Sequence, residues 1–229
     1  VNVPLSSDAA LRMSALNQTR NDWVTNTHAN ALTPELEGYR DTALRVQVLY
    51  EPSKQFSALA NVHLRDYNGS ARLFRANILQ KGSNDLVAGF RPDRVDYDGK
   101  NESWVKNTGA NLRLRWNLGS VALHSITGFE QVKTYSRGDI DGGGGPYFGA
   151  ALPFASETAD GMPTHSQWTQ EFRLESLSAG PLAWQAGVYL FREDYKIESF
   201  SYDSTNASVQ DGYERVRQKN DAYAIFGAV

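Results

Sequence analysis

Few residues in this chain have both the type and the spacing for chemistry. Asp139-Ile140-Asp141-Gly142 opens like a calcium loop, with carboxylates on alternate positions ahead of a glycine. Such a loop needs a bidentate Glu at its twelfth position, and Ala150 stands there. The stretch therefore reads as a flexible loop tip. The four histidines, His28, His63, His124 and His165, are scattered rather than gathered at ligand spacing. His63 and His124 have the parity of a polar face and read as ordinary polar lining. No Gly-x-Ser-x-Gly, phosphate loop or His-Glu-x-x-His is present. Asn17, Asn68, Asn101 and Asn206 sit in glycosylation-type triplets, and Asn17 falls in a strand. The expectation is a protein that is not an enzyme, with no cofactor, no metal and no assignable ligand-binding residue. What looks most functional is a row sharing one parity: Arg45, His63, Arg65, Arg113, Arg115, Glu130, Glu171, Arg173 and Glu175.

Strands must position that row. Residues 165–195 show the pattern plainly. Trp168, Phe172 and Leu174 share one parity, Glu171, Arg173 and Glu175 the other. After the tight turn Leu177-Ser178-Ala179-Gly180-Pro181, Leu182, Trp184, Ala186, Val188 and Leu190 again share a face. A period of two means a strand with one apolar and one polar side.

The same alternation recurs along the chain. Residues 1–7 read as a short connection. Ala9, Leu11, Met13 and Ala15 alternate against Arg12 and Ser14, then residues 20–39 read as a loop. Thr42 to Tyr50 and Phe56 to Leu64 alternate on either side of the turn Pro52-Ser53-Lys54. A loop is expected over residues 68–107. Ala110 to Trp116 and Val121 to Phe129 flank the turn Asn117-Leu118-Gly119. Loops are expected over 138–164 and 202–215, and residues 220–229 begin a last, unfinished strand. This makes about eight strands, joined alternately by tight turns and by loops of about 20 to 40 residues. Long loops at one end and tight turns at the other are the organisation of an outer-membrane barrel.

Aromatic placement agrees. Tyr50, Phe56, Trp116 and Trp184 lie close to tight turns with the parity of the apolar face, and Phe129 and Trp168 lie farther along it. Aromatic rings prefer an interface where an apolar body meets a polar edge. The two sets read as inner and outer girdles.

Composition permits this. The chain has 229 residues, a net charge of -3, no cysteine and a mean hydropathy of -0.49. The charge gives no reason to expect a nucleic-acid partner. Absence of cysteine excludes disulfides and thiolate metal sites. No run approaches the roughly 18 apolar residues of a membrane helix.

Several stretches resemble the TonB-dependent outer-membrane receptor family. SQWTQEFRLES and LAWQAGVYLFRED, on either side of their turn, are similar to a central barrel hairpin of that family. RDTALRVQVLYE followed by Pro52-Ser53 resembles a strand ending in a Trp-x-Pro-like turn, here Tyr50-Glu51-Pro52. Val3-Pro4-Leu5 with Arg20-Asn21-Asp22 resembles the first barrel strand, and DAYAIFG a later one. The likeness touches nearly every strand and none of the long loops.

The resemblance implies an all-β, antiparallel up-and-down transmembrane β-barrel of about 22 strands around a plug. Residues 1–229 would be an incomplete portion of that barrel domain, without the plug. It implies outer-membrane lipid around the wall of a Gram-negative bacterium. It implies a small-molecule ligand such as an iron-siderophore, and energised uptake through the TonB-ExbB-ExbD complex by way of the plug. The charged row would then face the plug. Phe74, Phe90, Tyr97, Tyr147, Phe148 and Phe154 are candidate ligand contacts in the loops, since aromatic rings give contact area at low entropy cost. Two other readings stay open at this point: a soluble β-sandwich binding module, and a small plug-free porin, including closure at eight strands.

Overall fold

The computed structural model describes residues 1–143, 156–177, 181–203 and 209–229. Its main feature is one nine-stranded antiparallel sheet. In chain order the strands are β1 (Asn2–Pro4), β2 (Ala9–Arg20), β5 (Tyr39–Ser53), β6 (Phe56–Gly69), β8 (Glu102–Asn117), β9 (Val121–Asp139), β10 (Glu157–Ser176), β11 (Gln185–Asp203) and β12 (Val209–Ala228). Each pairs with the next along the chain. Three short strands, β3 (Val24–Asn26), β4 (Glu35–Leu36) and β7 (Arg94–Val95), form a second sheet within the long connections. No described residue is helical. The sheet is an unclosed portion of an up-and-down barrel wall, since β12 and β1 do not pair.

The register keeps the two faces separate. Val46 pairs Val62, Val62 pairs Ala110, Ala110 pairs Phe129 and Phe129 pairs Trp168. Arg45 pairs His63, His63 pairs Gly109 and Gly109 pairs Glu130. A slip of one residue anywhere would exchange the faces, so the alternation specifies the register.

The apolar face has nothing packed on it among the described residues. Val62 is 54% exposed, Phe172 45%, Leu64 and Phe129 each 42%, and Leu112 40%. All lie on one parity and make one continuous patch. Patches of that size are rare on soluble monomers. With sequential neighbours throughout one nine-stranded sheet, and no second layer on it among the described residues, the β-sandwich reading is overturned. The patch begins at Phe56 and Trp116, whose ring centroids stand 4.9 Å apart. It ends at the level of Ala110, Phe129 and Trp168. The six steps from Trp116 to Ala110 span about 20 Å at ~3.4 Å each. That approaches the roughly 25 Å apolar band of a membrane barrel wall.

Four sequence expectations need correction. Residues 1–7 are not a plain connection: β1 pairs Val3 with Leu11, so β1 rather than β2 forms the lower part of that edge. There are nine strands in the sheet, not eight, and they do not close into a small barrel. The last strand does not begin at Asn220. It runs from Val209 to Ala228 and pairs with β11 almost throughout. The loops expected over 68–107, 138–164 and 202–215 are largely strand at their margins, because β8 begins at Glu102, β10 at Glu157 and β12 at Val209. One cause explains the last two. Beyond Phe129 and Trp168 both faces of the strands become polar. The outward positions of β11 and β12 carry Arg192 against Asp221 (2.7 Å) and Asp194 against Arg217 (2.6 Å). A strand wet on both faces has no apolar alternation to read.

The separation of faces is testable by substitution. Leu112→Arg or Val48→Arg should impair barrel assembly far more than Asn111→Arg. An arginine on a lipid face near the midplane costs about 2–4 kcal/mol, and one on the inner face costs little. The heat-modifiable folded band after refolding into lipid should be lost for the first two only. Equal yields at both parities would refute the face assignment.

Candidate functional site

The inner face carries the charged row, and the structure pairs much of it. Arg65 donates two hydrogen bonds to Asp41, at 2.9 and 2.7 Å. His63 sits 3.2 Å from Glu130, which also accepts from Asn107. His124 lies 3.0 Å from Glu175 without hydrogen-bond alignment, and Arg115 lies 3.8 Å from the same carboxylate. Arg173 lies 3.8 Å from Glu171. Arg45 and Arg113 form no ion pair among the described residues. An open groove of about 570 Å³ runs along this wall, lined by Arg12, Arg45, Arg65 and His63 among others.

Local backbone makes one of these pairs possible. Gly109 stands directly between His63 and Glu130 on the central strand of three. A Cβ there would lie 2.2 Å from the Glu130 carboxylate. Glu130 therefore reaches His63 by lying across a residue that has no side chain.

Sequence reading placed His63, Arg65, Arg115, Glu130, Glu171, Arg173 and Glu175 on this face correctly. It missed Asp41 and Asn107, and it missed the pair of His165 and Glu193 at 3.1 Å. The signal for all of these was parity, which places Asp41, Asn107, His165 and Glu193 on the inner face with the others. The fourth histidine, His28, pairs with Asp96 at 3.2 Å outside the main sheet. Each of the four scattered histidines thus stands beside one carboxylate.

The long connections form a second functional region, and they are not structureless. Val24, Leu36, Val95 and Tyr97 are fully buried and make a small core, with Leu73 against it. This is the buried apolar cluster among the described residues, and it lies in the loops rather than in the wall. β3 pairs antiparallel with β4 and parallel with β7, joining residues 24–36 to 94–95. Asn26 holds the join. Its Nδ2 donates to the carbonyls of Thr33 (3.0 Å) and Tyr97 (2.9 Å), and its Oδ1 accepts from the Tyr97 and His28 amides at 2.9 and 3.2 Å. Tyr97 was expected as an exposed ligand contact. It is instead a core residue whose hydroxyl donates to the Phe74 carbonyl. Burial, and then the neighbouring Asp139 carboxylate, push its phenol pKa up. Phe74 is exposed and still available, whereas Tyr147, Phe148 and Phe154 lie outside the described residues.

At the margin of this core lies an acidic group. Asp139 is fully buried, Asp141 is 8% exposed, and Asp98 is half-buried. The loop-tip reading of Asp139-Ile140-Asp141-Gly142 is therefore wrong for these residues. The backbone supplies donors: Gly99 N and Gly142 N to Asp139, and Gly143 N and Ser156 N to Asp141. Gly142 and Gly143 both have positive φ, 81° and 80°, and each passes so close to neighbouring backbone that a Cβ would collide. Burial, then the Asp141 charge, push the Asp139 carboxyl up to about 8. Beside it, the fully buried Glu157 takes Arg137 at 2.5 Å, and that guanidinium lies 3.6 Å from the Tyr202 ring centroid.

Comparison with known proteins adds the fold. No family model matches the sequence, and no curated protein matches it. Almost the whole chain, 99%, superposes on 40% of the ferric yersiniabactin uptake receptor FyuA from Yersinia pestis, with a TM-score of 0.64 and 11% identity. The outer membrane transporter YddB from Escherichia coli aligns over 99% of this chain and 30% of its own, at 13% identity and a TM-score of 0.44, too low to argue from. The chain thus spans about two fifths of the first and less of the second. At such identity the likeness establishes a shared wall architecture.

Asn26→Ala should release the loop core while leaving the wall intact. The substitution orphans buried backbone groups, each worth about 1–3 kcal/mol. Limited proteolysis should cut within residues 27–34 or 76–93 at least several-fold faster, with unchanged β-sheet circular dichroism. An unaltered cleavage pattern would show that Asn26 does not hold the loops.

Proposed function

We propose that this chain is wall and outer loops of a TonB-dependent outer-membrane transporter that takes up a scarce small molecule such as a ferric siderophore. The observation that carries the reading is the superposition of nearly the entire chain on the uptake receptor of Yersinia pestis. The exposed apolar band supports placement in outer-membrane lipid, because hydrocarbon is the solvent that suits it. The inner row supports a filled lumen. Five arginines, Arg45, Arg65, Arg113, Arg115 and Arg173, outnumber the three glutamates of the row, and Arg45 and Arg113, which form no ion pair among the described residues, are placed to meet a plug or an anionic ligand. The folded loop core supports capture at the outer end, where a preformed surface lowers the ordering cost of binding. In this reading the plug and the TonB-ExbB-ExbD complex supply gating and energy.

The test is uptake of radiolabelled iron–siderophore complexes by cells expressing the full-length protein under iron limitation. Uptake should appear with the protein, vanish when TonB is deleted, and fall several-fold when Arg45 and Arg113 are both replaced by alanine. Uptake indifferent to TonB, together with steady single-channel conductance in planar bilayers, would favour a plug-free porin and refute the proposal.

A further inference from the structure

We infer that the two connections on either side of the β8–β9 hairpin are clasped by a calcium ion held between Asp98, Asp139 and Asp141. The inference goes beyond transport and stands whether or not the transport reading holds.

The geometry comes first. One carboxylate oxygen from each of the three residues lies within 4.8 Å of the others. Two oxygens bound to a common calcium at about 2.4 Å can be at most about 4.8 Å apart, so the three are close enough to share one ion. They come from separate parts of the chain. Asp98 lies between β7 and β8, Asp139 ends β9, and Asp141 follows it. The missing twelfth-position Glu is thereby replaced by a ligand from another connection.

A second observation points the same way. Glu157 is the direct cross-strand partner of Asp139 in the β9–β10 ladder, so both carboxylates leave the sheet on the same side. Glu157 is fully buried, and its Oε2 has no hydrogen-bond partner. That oxygen lies 3.2 Å from the Cβ position of Gly99, the residue whose amide donates to Asp139 and which follows Asp98. A buried unpartnered carboxylate oxygen is costly. Arg137 and the Lys100 amide satisfy the other oxygen only.

The donors select the ion. All are oxygens, and no cysteine exists in the chain, so a hard cation fits better than zinc. Three carboxylates from two connections, with the buried Glu157 carboxylate behind Gly99, make an irregular set, which calcium tolerates and magnesium, with its octahedral demand, does not. Backbone amides already orient Asp139 and Asp141, while Asp98 makes no hydrogen bond among the described residues and is the most open of the three. Asp98 is therefore the ligand that can close on an arriving ion.

Terbium luminescence tests this, with Tyr97, adjacent in the loop core, as the sensitiser. The full-length protein in detergent should show saturable terbium emission that calcium displaces and equimolar magnesium does not. Asp98→Asn breaks no hydrogen bond of the fold, and it should weaken binding by at least about tenfold. The control Asp85→Asn, in the same connection but remote from the group, should bind like the wild type. Calcium should also slow proteolysis of residues 76–101 in the wild type and not in D98N. Absence of a saturable signal, or D98N binding within about twofold of wild type, would overturn the inference.

Discussion

A β-wall with one face in hydrocarbon, the placement proposed above, has no water available for its backbone. Every N–H and C=O must find a partner on a neighbouring strand, since each one left unmade costs several kcal/mol. The rest of this structure follows from that requirement. The ladders run almost unbroken from β2 to β12, and the interruptions are confined to a few places, such as residues 161–166 of β10 and the start of β12. Uninterrupted pairing imposes strict alternation, and alternation hands one face to apolar residues and the other to Arg, Glu, His and Asn. The tight turn at Gly119, with φ of 92°, is the local device that lets consecutive strands pair at once.

Above the level of Phe129 and Trp168 the same strands continue under different rules. The outward face becomes ionic on β11 and β12, with Arg192, Asp194, Arg217 and Asp221 in cross-strand pairs. Farther along, Trp104, Tyr135, Phe200 and Tyr213 form a chain of ring contacts, from 6.1 Å for the first pair to 5.2 Å for the last. Exposed ion pairs contribute about 0.2–1 kcal/mol each and do not hold these extensions together. Backbone pairing does, assisted by the loop core packed at the margin. Inside, pairing of His63, His124 and His165 with carboxylates and of Arg65 with Asp41 offsets part of the wall's charge, while Arg45 and Arg113 form no ion pair among the described residues.

The alternation, the aromatic positions on the apolar face and the tight turns at Pro52-Ser53-Lys54 and Asn117-Leu118-Gly119 were legible in the amino-acid sequence, because a period of two is a local property that survives without knowledge of partners; the turn expected at Leu177 to Pro181 lies largely outside the described residues. The period located eight of the nine sheet strands and the parity of the charged row. It could not show where strands stop once both faces are wet, so Val209 to Arg215 read as loop. Nor could it show which polar residues meet. Asp41 with Arg65, and Glu130 with His63 across Gly109, depend on register between strands. The loop core depends on contacts between residues some seventy positions apart, such as Asn26 with Tyr97. Asp98, Asp139 and Asp141 come together only because β8 and β9 pair and bring their flanking connections side by side. Local periodicity decides which face a side chain takes; long-range pairing, set by the satisfaction of backbone hydrogen bonds, decides what it finds there.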